Sequence, residues 1–67
     1  MAELTIGERI KAYITERGIK QAFIAEKAEI TDSKMSLILN GKQDLGVIDY
    51  YKICKALDVP LEQFMRG

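Results

Sequence analysis

Hydrophobic residues recur every three or four positions along most of this chain, a spacing that aligns side chains on one face of an α-helix. Polar or glycine-containing breaks divide the pattern into five stretches, each too short to be a stable helix in isolation. The pattern therefore predicts an all-α fold in which five short helices pool their apolar faces in one core.

The first predicted helix runs from Ile6 to around Arg17 and begins with a capping box. In this arrangement the Thr5 side chain caps the helix, while Glu8 reaches back to the backbone N–H of Thr5. Gly18 is placed to end the helix, because glycine readily adopts a left-handed backbone. The stripe that should be buried consists of Ile6, Ile10, Tyr13 and Ile14.

The pattern in residues 21–40 predicts two short helices joined by a tight turn, and the small side chain of Ala25 lets them cross closely. Thr31 suits the N-cap of the second helix, because its hydroxyl can accept a hydrogen bond from a backbone N–H one turn later. That helix should cover residues 32–39, and the Asn-Gly pair after it is typical of a helix end. Its N-terminal end, residues 31–34, is entirely polar and should project from the protein; we call it the polar tip.

A fourth helix is predicted over residues 47–57, and a short fifth helix follows Pro60, which is tolerated in a first helical turn. The single cysteine, Cys54, has apolar neighbours and should be a small buried residue. The apolar positions of the two helices are Val47, Tyr50, Tyr51, Cys54, Leu57, Leu61, Phe64 and Met65.

The composition, 67 residues with 48% hydrophobic and 30% charged, fits one small globular domain, which we take as residues 1–67. Without histidine, and with one cysteine, the chain offers no zinc-ligand set and no nucleophile–histidine pair. We therefore expect no enzymatic activity, metal, cofactor or small-molecule ligand. The apolar runs are far shorter than the roughly 18 residues of a membrane span, and the opening lacks a signal core, so we expect a cytoplasmic protein without a membrane partner.

Ten basic and ten acidic residues cancel, which argues against indiscriminate binding to polyphosphate. Four lysines lie in or beside residues 21–40, but acidic residues are interspersed among them. Charge alone favours a solvated helical surface, so the prediction of DNA binding depends on the motif.

Residues 21–40 resemble the helix-turn-helix of the phage-repressor family, the lambda-repressor-like or Cro-type DNA-binding domains. The five-helix order is similar as well, so the resemblance extends over residues 6–65. It implies that the polar tip enters the major groove of B-DNA, which is roughly 12 Å wide. The residues that carry the likeness are Gln21, Ile24, Ala25, Ala28, Ile30, Met35, Ile38 and Asn40-Gly41-Lys42.

The resemblance assigns phosphate contacts to Gln21, Asn40 and Lys42. Gln21 would bind a phosphate together with the free N–H groups at the start of its helix, and the other two would bind the backbone on the other side. Such contacts fix the register of the protein on the duplex and carry no sequence information.

Base reading would fall to the polar tip and to Leu37, one turn further along the same helix. Asp32 can accept a hydrogen bond from cytosine N4, Lys34 can donate to guanine or a phosphate, and Leu37 can cover a thymine methyl. Thr31 and Ser33 complete the reading end. Phosphates repel the Asp32 carboxylate unless cytosine or a lysine compensates, which predicts modest affinity.

Several positions depart from the family pattern. Ile14 and Leu39 stand where family members often carry a buried Arg–Glu pair; because both are apolar, no charge is stranded, and we expect their side chains to touch. Glu29 replaces the usual turn glycine, at a cost on the order of 1 kcal/mol if its backbone is left-handed. Phe23 should be partly exposed, either as a lid on the core edge, which we favour, or as part of a contact surface.

The resemblance implies sequence-specific binding of double-stranded DNA by a transcriptional regulator, a repressor of prokaryotic or phage type. Because one helix reads few base pairs, we expect a homodimer on half-sites about one DNA turn apart, with Leu61 and Phe64 in its interface. The alternative is a protein–protein adaptor, antitoxin-like or antirepressor-like, on the same scaffold, since a fold does not determine function. That alternative fits the neutral net charge, Glu29, Asp32 and the exposed Phe23 and Leu37.

Overall fold

The computed structural model describes residues 4–65, and every regular element in that range is helical. Four α-helices are followed by one 3₁₀ turn, and the predicted all-α fold is confirmed. The elements are α1 (Ile6–Glu16), α2 (Gln21–Lys27), α3 (Asp32–Leu39), α4 (Val47–Leu57) and the 3₁₀ turn Leu61–Phe64. The predicted fifth helix is thus only a 3₁₀ turn, because a single buried side chain, Phe64, anchors it to the domain.

The starts of α1 and α3 follow the capping predictions. At α1, the Thr5 hydroxyl accepts a hydrogen bond from the Glu8 N–H at 3.1 Å, and the Glu8 carboxylate accepts one from the Thr5 N–H at 2.9 Å. At α3, the Thr31 hydroxyl accepts a hydrogen bond from the Lys34 N–H at 3.2 Å. Both caps fix where a helix begins by giving a partner to an otherwise unpaired backbone N–H.

All four α-helices end in the same type of turn, built around one residue with a left-handed backbone. After α2, the Ile30 N–H donates to the Ala25 carbonyl at 2.8 Å, which is the long-range hydrogen bond of a Schellman motif. Glycine supplies the left-handed residue after α1 and α3, as predicted, whereas acidic residues supply it after α2 and α4. These residues are Gly18, Glu29, Gly41 and Asp58, with φ of 68°, 58°, 72° and 57°.

A single hydrophobic core joins all the helices. Ile14 and Leu39 are both buried in it, which agrees with the apolar replacement of an ion pair, while direct contact between the two side chains stays a prediction. Glu29 has the left-handed backbone on which its predicted cost depends. The buried members are Ile10, Ile14, Ile24, Ala25, Ala28, Ile30, Met35, Leu39, Tyr50, Ile53, Cys54 and Phe64.

The buried face of α4 differs from the apolar stripe predicted for this helix. Its buried side chains are Tyr50, Ile53 and Cys54, whereas Val47 and Tyr51 are 85% and 49% exposed. Val47 lies in the first turn, beyond the edge of the core, and Tyr51 is rotated by about 100° from Tyr50. The prediction for Cys54 is confirmed, and burial raises the pKa of its thiol.

Two hydrogen bonds fasten the C-terminal segment to the domain. The Tyr50 hydroxyl donates to the Leu61 carbonyl, and Arg9 Nη1 donates to the Phe64 carbonyl at 3.1 Å. The Phe64 ring also packs edge-on against Tyr13, with 5.3 Å between ring centroids. The 3₁₀ turn is therefore part of the folded unit, attached to both α1 and α4.

Gly7 sets how closely α1 approaches α3. A Cβ atom at this position would lie 2.0 Å from the backbone oxygen of Ile38, closer than any real contact allows. The missing side chain lets the start of α1 lie directly against α3. Since α3 packs mainly on α1 and α2, while α4 packs on α2 and the 3₁₀ turn, this contact supports the helix that carries the polar tip.

Candidate nucleic-acid interface

The polar tip lies at the surface in front of a buried apolar base. Thr31, Asp32 and Ser33 are exposed and Lys34 is half-buried, whereas Met35, Ile38 and Leu39 behind them are almost completely buried. The helical period produces this separation, because the buried side chains follow at three- and four-residue steps along α3. The N-terminal end of α3 is thereby accessible to a binding partner.

Lys34 forms an ion pair that the sequence analysis did not anticipate. Its Nζ atom lies 2.9 Å from the Asp49 carboxylate, in the first turn of α4. The Lys34 side chain is 42% exposed and that of Asp49 only 20%, so the acidic partner has less freedom to turn away. The pair depends on how α3 and α4 both pack against α2, which no local pattern reveals.

The Asn40 side chain is already engaged within the domain. Its Nδ2 donates to the Ser36 carbonyl at 2.8 Å, and its Oδ1 accepts from Lys11 Nζ at 2.7 Å. Asn40 therefore links the end of α3 to α1 and holds the Lys11 ammonium at the surface. Lys11 is a second cation that the sequence analysis missed, because the contact spans 29 residues.

Three further predicted contact residues, and Phe23, are at least partly accessible at the surface. Gln21 is the first residue of α2 and is half-buried, and no side chain caps that helix. Lys42 is exposed directly after the left-handed Gly41. Leu37 is 43% exposed and Phe23 is 52% exposed, which agrees with the partial exposure predicted for Phe23, while its role as a lid stays a prediction.

A second exposed surface is almost entirely apolar and lies on α4 and the C-terminal segment. We call it the apolar patch; its members are Val47, Ile48, Tyr51, Leu61 and Met65, which line a common groove. Val47 and Ile48 are the most exposed, at 85% and 71%. The prediction that Phe64 lies in a dimer interface needs correction, because its ring is 4% exposed and fills the domain's own core.

Two negative observations apply to residues 4–65 only. No helix there is long and apolar enough to cross a membrane. In the same range, no three His, Cys, Asp or Glu residues are placed to hold a metal ion.

A pair of short helices that pack together across a tight turn, with the polar end of the second one exposed above a buried apolar face, is typical of a helix-turn-helix protein. Residues 7–67 match the family model described as "Helix-turn-helix domain", and the chain belongs to that family. The predicted resemblance is thereby confirmed. No curated protein sequence matches the chain significantly.

Two solved structures of the regulator SinR are similar to this chain. One is described as the master regulator for biofilm formation SinR in complex with DNA; it has a TM-score of 0.80 and 32% identity, covering 92% of this chain and 100% of that one. The other is the N-terminal DNA-binding domain of SinR from Bacillus subtilis, with a TM-score of 0.78 and 32% identity over 92% of this chain and 91% of that one.

Proposed function

We propose that this domain binds double-stranded DNA sequence-specifically through the polar tip and acts as a transcriptional regulator in the cytoplasm. The observation that carries the proposal is the exposed N-terminal end of α3, held out by a completely buried base. An α-helix end of this kind fits the B-DNA major groove, roughly 12 Å wide. The similarity to SinR, one structure of which is described as a complex with DNA, supports the same use of the fold here.

In the proposed complex, the tip residues and Leu37 face the bases. The Ser33 hydroxyl can donate or accept, the Asp32 carboxylate can accept from cytosine N4, and Leu37 can cover a thymine methyl. The Thr31 hydroxyl accepts a hydrogen bond from the Lys34 N–H, which fixes the start of the helix, and its own proton remains to donate to a base.

Phosphate binding is assigned to cations and amides on either side of the tip. Gln21 and Lys42 take these roles directly. Asn40, whose amide is engaged by α1 and α3, contributes by positioning Lys11. These contacts fix the register of the domain on the duplex without reading its sequence.

We further propose that the regulator works as a homodimer that represses by occupying its operator. Two copies would pair through the apolar patch, in which Leu61 is retained and Phe64 is replaced by Val47 and Ile48 as contact residues. Burial of this patch removes from water the largest exposed apolar residues of α4. A two-fold pair would place two tips on half-sites about one DNA turn apart.

Selection from random duplexes tests the main proposal, and one sequence motif should be enriched. Affinity for that duplex should fall with salt, with a slope of about −0.9 per phosphate contacted. Ser33→Ala should weaken binding to the enriched duplex about tenfold, and leave binding to random duplex unchanged. Lys42→Gln should weaken both and reduce the salt slope by about 1.

The matched control is Lys55→Gln, the same charge change in the last turn of α4. Lys55→Gln should alter affinity and salt slope much less than Lys42→Gln, because Lys55 is not among the proposed phosphate contacts. Absence of an enriched motif, together with affinity indifferent to salt, would refute DNA binding.

A protein–protein adaptor is the second candidate, and the charge of the tip favours it. Asp49 neutralises Lys34, and Asp32 adds a further carboxylate in the first turn of α3. Phe23 and Leu37 expose apolar surface nearby. This candidate predicts that random duplexes yield no motif, and that Leu37→Ser disrupts binding to a protein partner.

A further inference from the structure

The Lys34–Asp49 ion pair connects two helices that otherwise contact each other little. Helix α3 packs mainly against α1 and α2, and α4 against α2 and the 3₁₀ turn. The pair spans the gap between them with a 2.9 Å contact. Asp49 therefore brings a carboxylate from α4 to the only cation of the polar tip.

When DNA approaches the tip, Lys34 can either stay paired with Asp49 or leave it. If Lys34 stays on Asp49, the two charges cancel and the tip offers no positive charge to a phosphate. If Lys34 leaves, the partly buried carboxylate stays near the phosphates and repels them. Both outcomes weaken attachment to the DNA backbone, whatever its sequence.

A neutral base edge can receive Lys34 without the repulsion that the nearby Asp49 carboxylate exerts on a phosphate. Guanine presents two acceptors, N7 and O6, at fixed positions in the major groove, whereas phosphates lie along every sequence. Loss of the ion pair is therefore compensated best where a correctly placed guanine receives Lys34.

We propose that Asp49 is a specificity-determining residue that acts through Lys34: it restrains the lysine from phosphates and releases it to a base. The inference rests on the proposed DNA binding and deepens it. Asp49 is a positioning residue in this scheme, because it contacts Lys34 and not the DNA.

The first test is Asp49→Asn, which keeps the size of the side chain and removes its charge. Affinity for random duplex should rise roughly five- to tenfold, and its salt slope should steepen by about 0.9, the value for one additional phosphate. Affinity for the selected duplex should rise less, so the ratio of specific to non-specific binding should fall. Thermal unfolding followed by circular dichroism checks that the variant is folded.

Asp58→Asn is the matched control, since it makes the same charge change at the C-terminal end of α4. Asparagine accepts the left-handed backbone of that position, where φ is 57°. An equal gain in random-duplex affinity for both variants would show that only net charge matters and would overturn the proposal. A larger gain for Asp49→Asn, absent when Lys34→Gln is also present, would support it.

Lys34→Gln alone gives a second test that leaves Asp49 in place. Because Asp49 already pairs with Lys34, the loss of Lys34 should lower affinity for the selected duplex about tenfold and for random duplex much less, whereas Lys42→Gln should lower affinity for both several-fold. Equal losses of random-duplex affinity in Lys34→Gln and Lys42→Gln would contradict the inference. If the unmodified protein binds no duplex in a salt-dependent way, the proposed function itself fails, and that result is distinct from either comparison.

Discussion

The polar tip and the apolar patch are both exposed, but they are built in opposite ways. The tip consists of small or charged side chains supported by a helix whose other face is fully buried. The patch consists of large apolar side chains at the start of α4 and along a 3₁₀ turn that has one buried residue. A polar end can remain hydrated in the free protein, whereas exposed Val47 and Ile48 gain from a partner that covers them.

The proposed function assigns a different kind of binding event to each of these surfaces. Hydrogen bonds to base edges at the tip would supply sequence information, and apolar burial at the patch would supply association energy. Asp49 lies between them, in the same first turn of α4 as Val47 and Ile48, and contacts Lys34 of the tip. The comparison can be tested by changing the support of each surface separately.

The largest effect is expected from Gly7→Ala, which changes the support of the tip. A Cβ atom there would lie 2.0 Å from the Ile38 backbone oxygen, so α1 and α3 must separate. Overpacking against rigid backbone should lower the free energy of unfolding by about 3 kcal/mol, even after the better helix propensity of alanine is included. Urea unfolding measures the change.

Gly46→Ala is the control for that variant. No atom lies within 4 Å of a Cβ at Gly46, the N-cap of α4, so the loss should be only about 0.5 to 1 kcal/mol, the cost of a poorer N-cap residue. Similar losses for both glycines would mean that the contact between α1 and α3 is not the cause.

Helix boundaries were predictable because their causes are local. The Thr5 and Thr31 caps act over three residues, and the left-handed turn at Gly18 over five, so the sequence pattern contains the whole interaction. The role of Gly7 was not predictable in the same way, because it depends on where α3 lies across α1. The fifth element was predicted as a helix, since its apolar spacing is helical although only Phe64 is buried.

The second-largest effect is expected from Ile48→Ser, which changes the apolar patch. Covering about half of the Ile48 side chain in a dimer contributes about 1 kcal/mol per protomer. The dimer should therefore be weaker by about 2 kcal/mol, or roughly thirtyfold in dissociation constant. Sedimentation equilibrium measures this dissociation constant. The free energy of unfolding of the monomer should hardly change, because Ile48 is 71% exposed there.

Leu4→Ser is a comparable change outside the patch, at a residue that is 54% exposed. Its dimer dissociation constant should match that of the unmodified protein. A monomeric protein at all accessible concentrations, or equal weakening by both variants, would remove the patch from the proposed interface.

The sequence predicted where the candidate site lies, but not which side chains contact each other there. Residues 31–34 are exposed because the periodicity of α3 places them outside the core, and that periodicity is visible in the sequence. The partners of Lys34 and Asn40, by contrast, come from α4 and α1. Side-chain pairs between helices depend on crossing geometry, so residue spacing along one helix cannot give them.

The smallest effect is expected from Glu29→Gly, in the turn that precedes the tip. The left-handed backbone of Glu29, with φ of 58°, disfavours a side chain, and glycine removes that cost while losing more freedom on folding. The net gain in the free energy of unfolding should be about 0.5 kcal/mol, measured by urea unfolding. Glu29→Ala retains a Cβ atom and should not produce it.

Asp58→Gly, at the equivalent turn before the C-terminal segment, should gain less, because aspartate tolerates this backbone better than glutamate. A larger gain at Asp58 than at Glu29 would show that the turn beside the tip is not the more strained of the two.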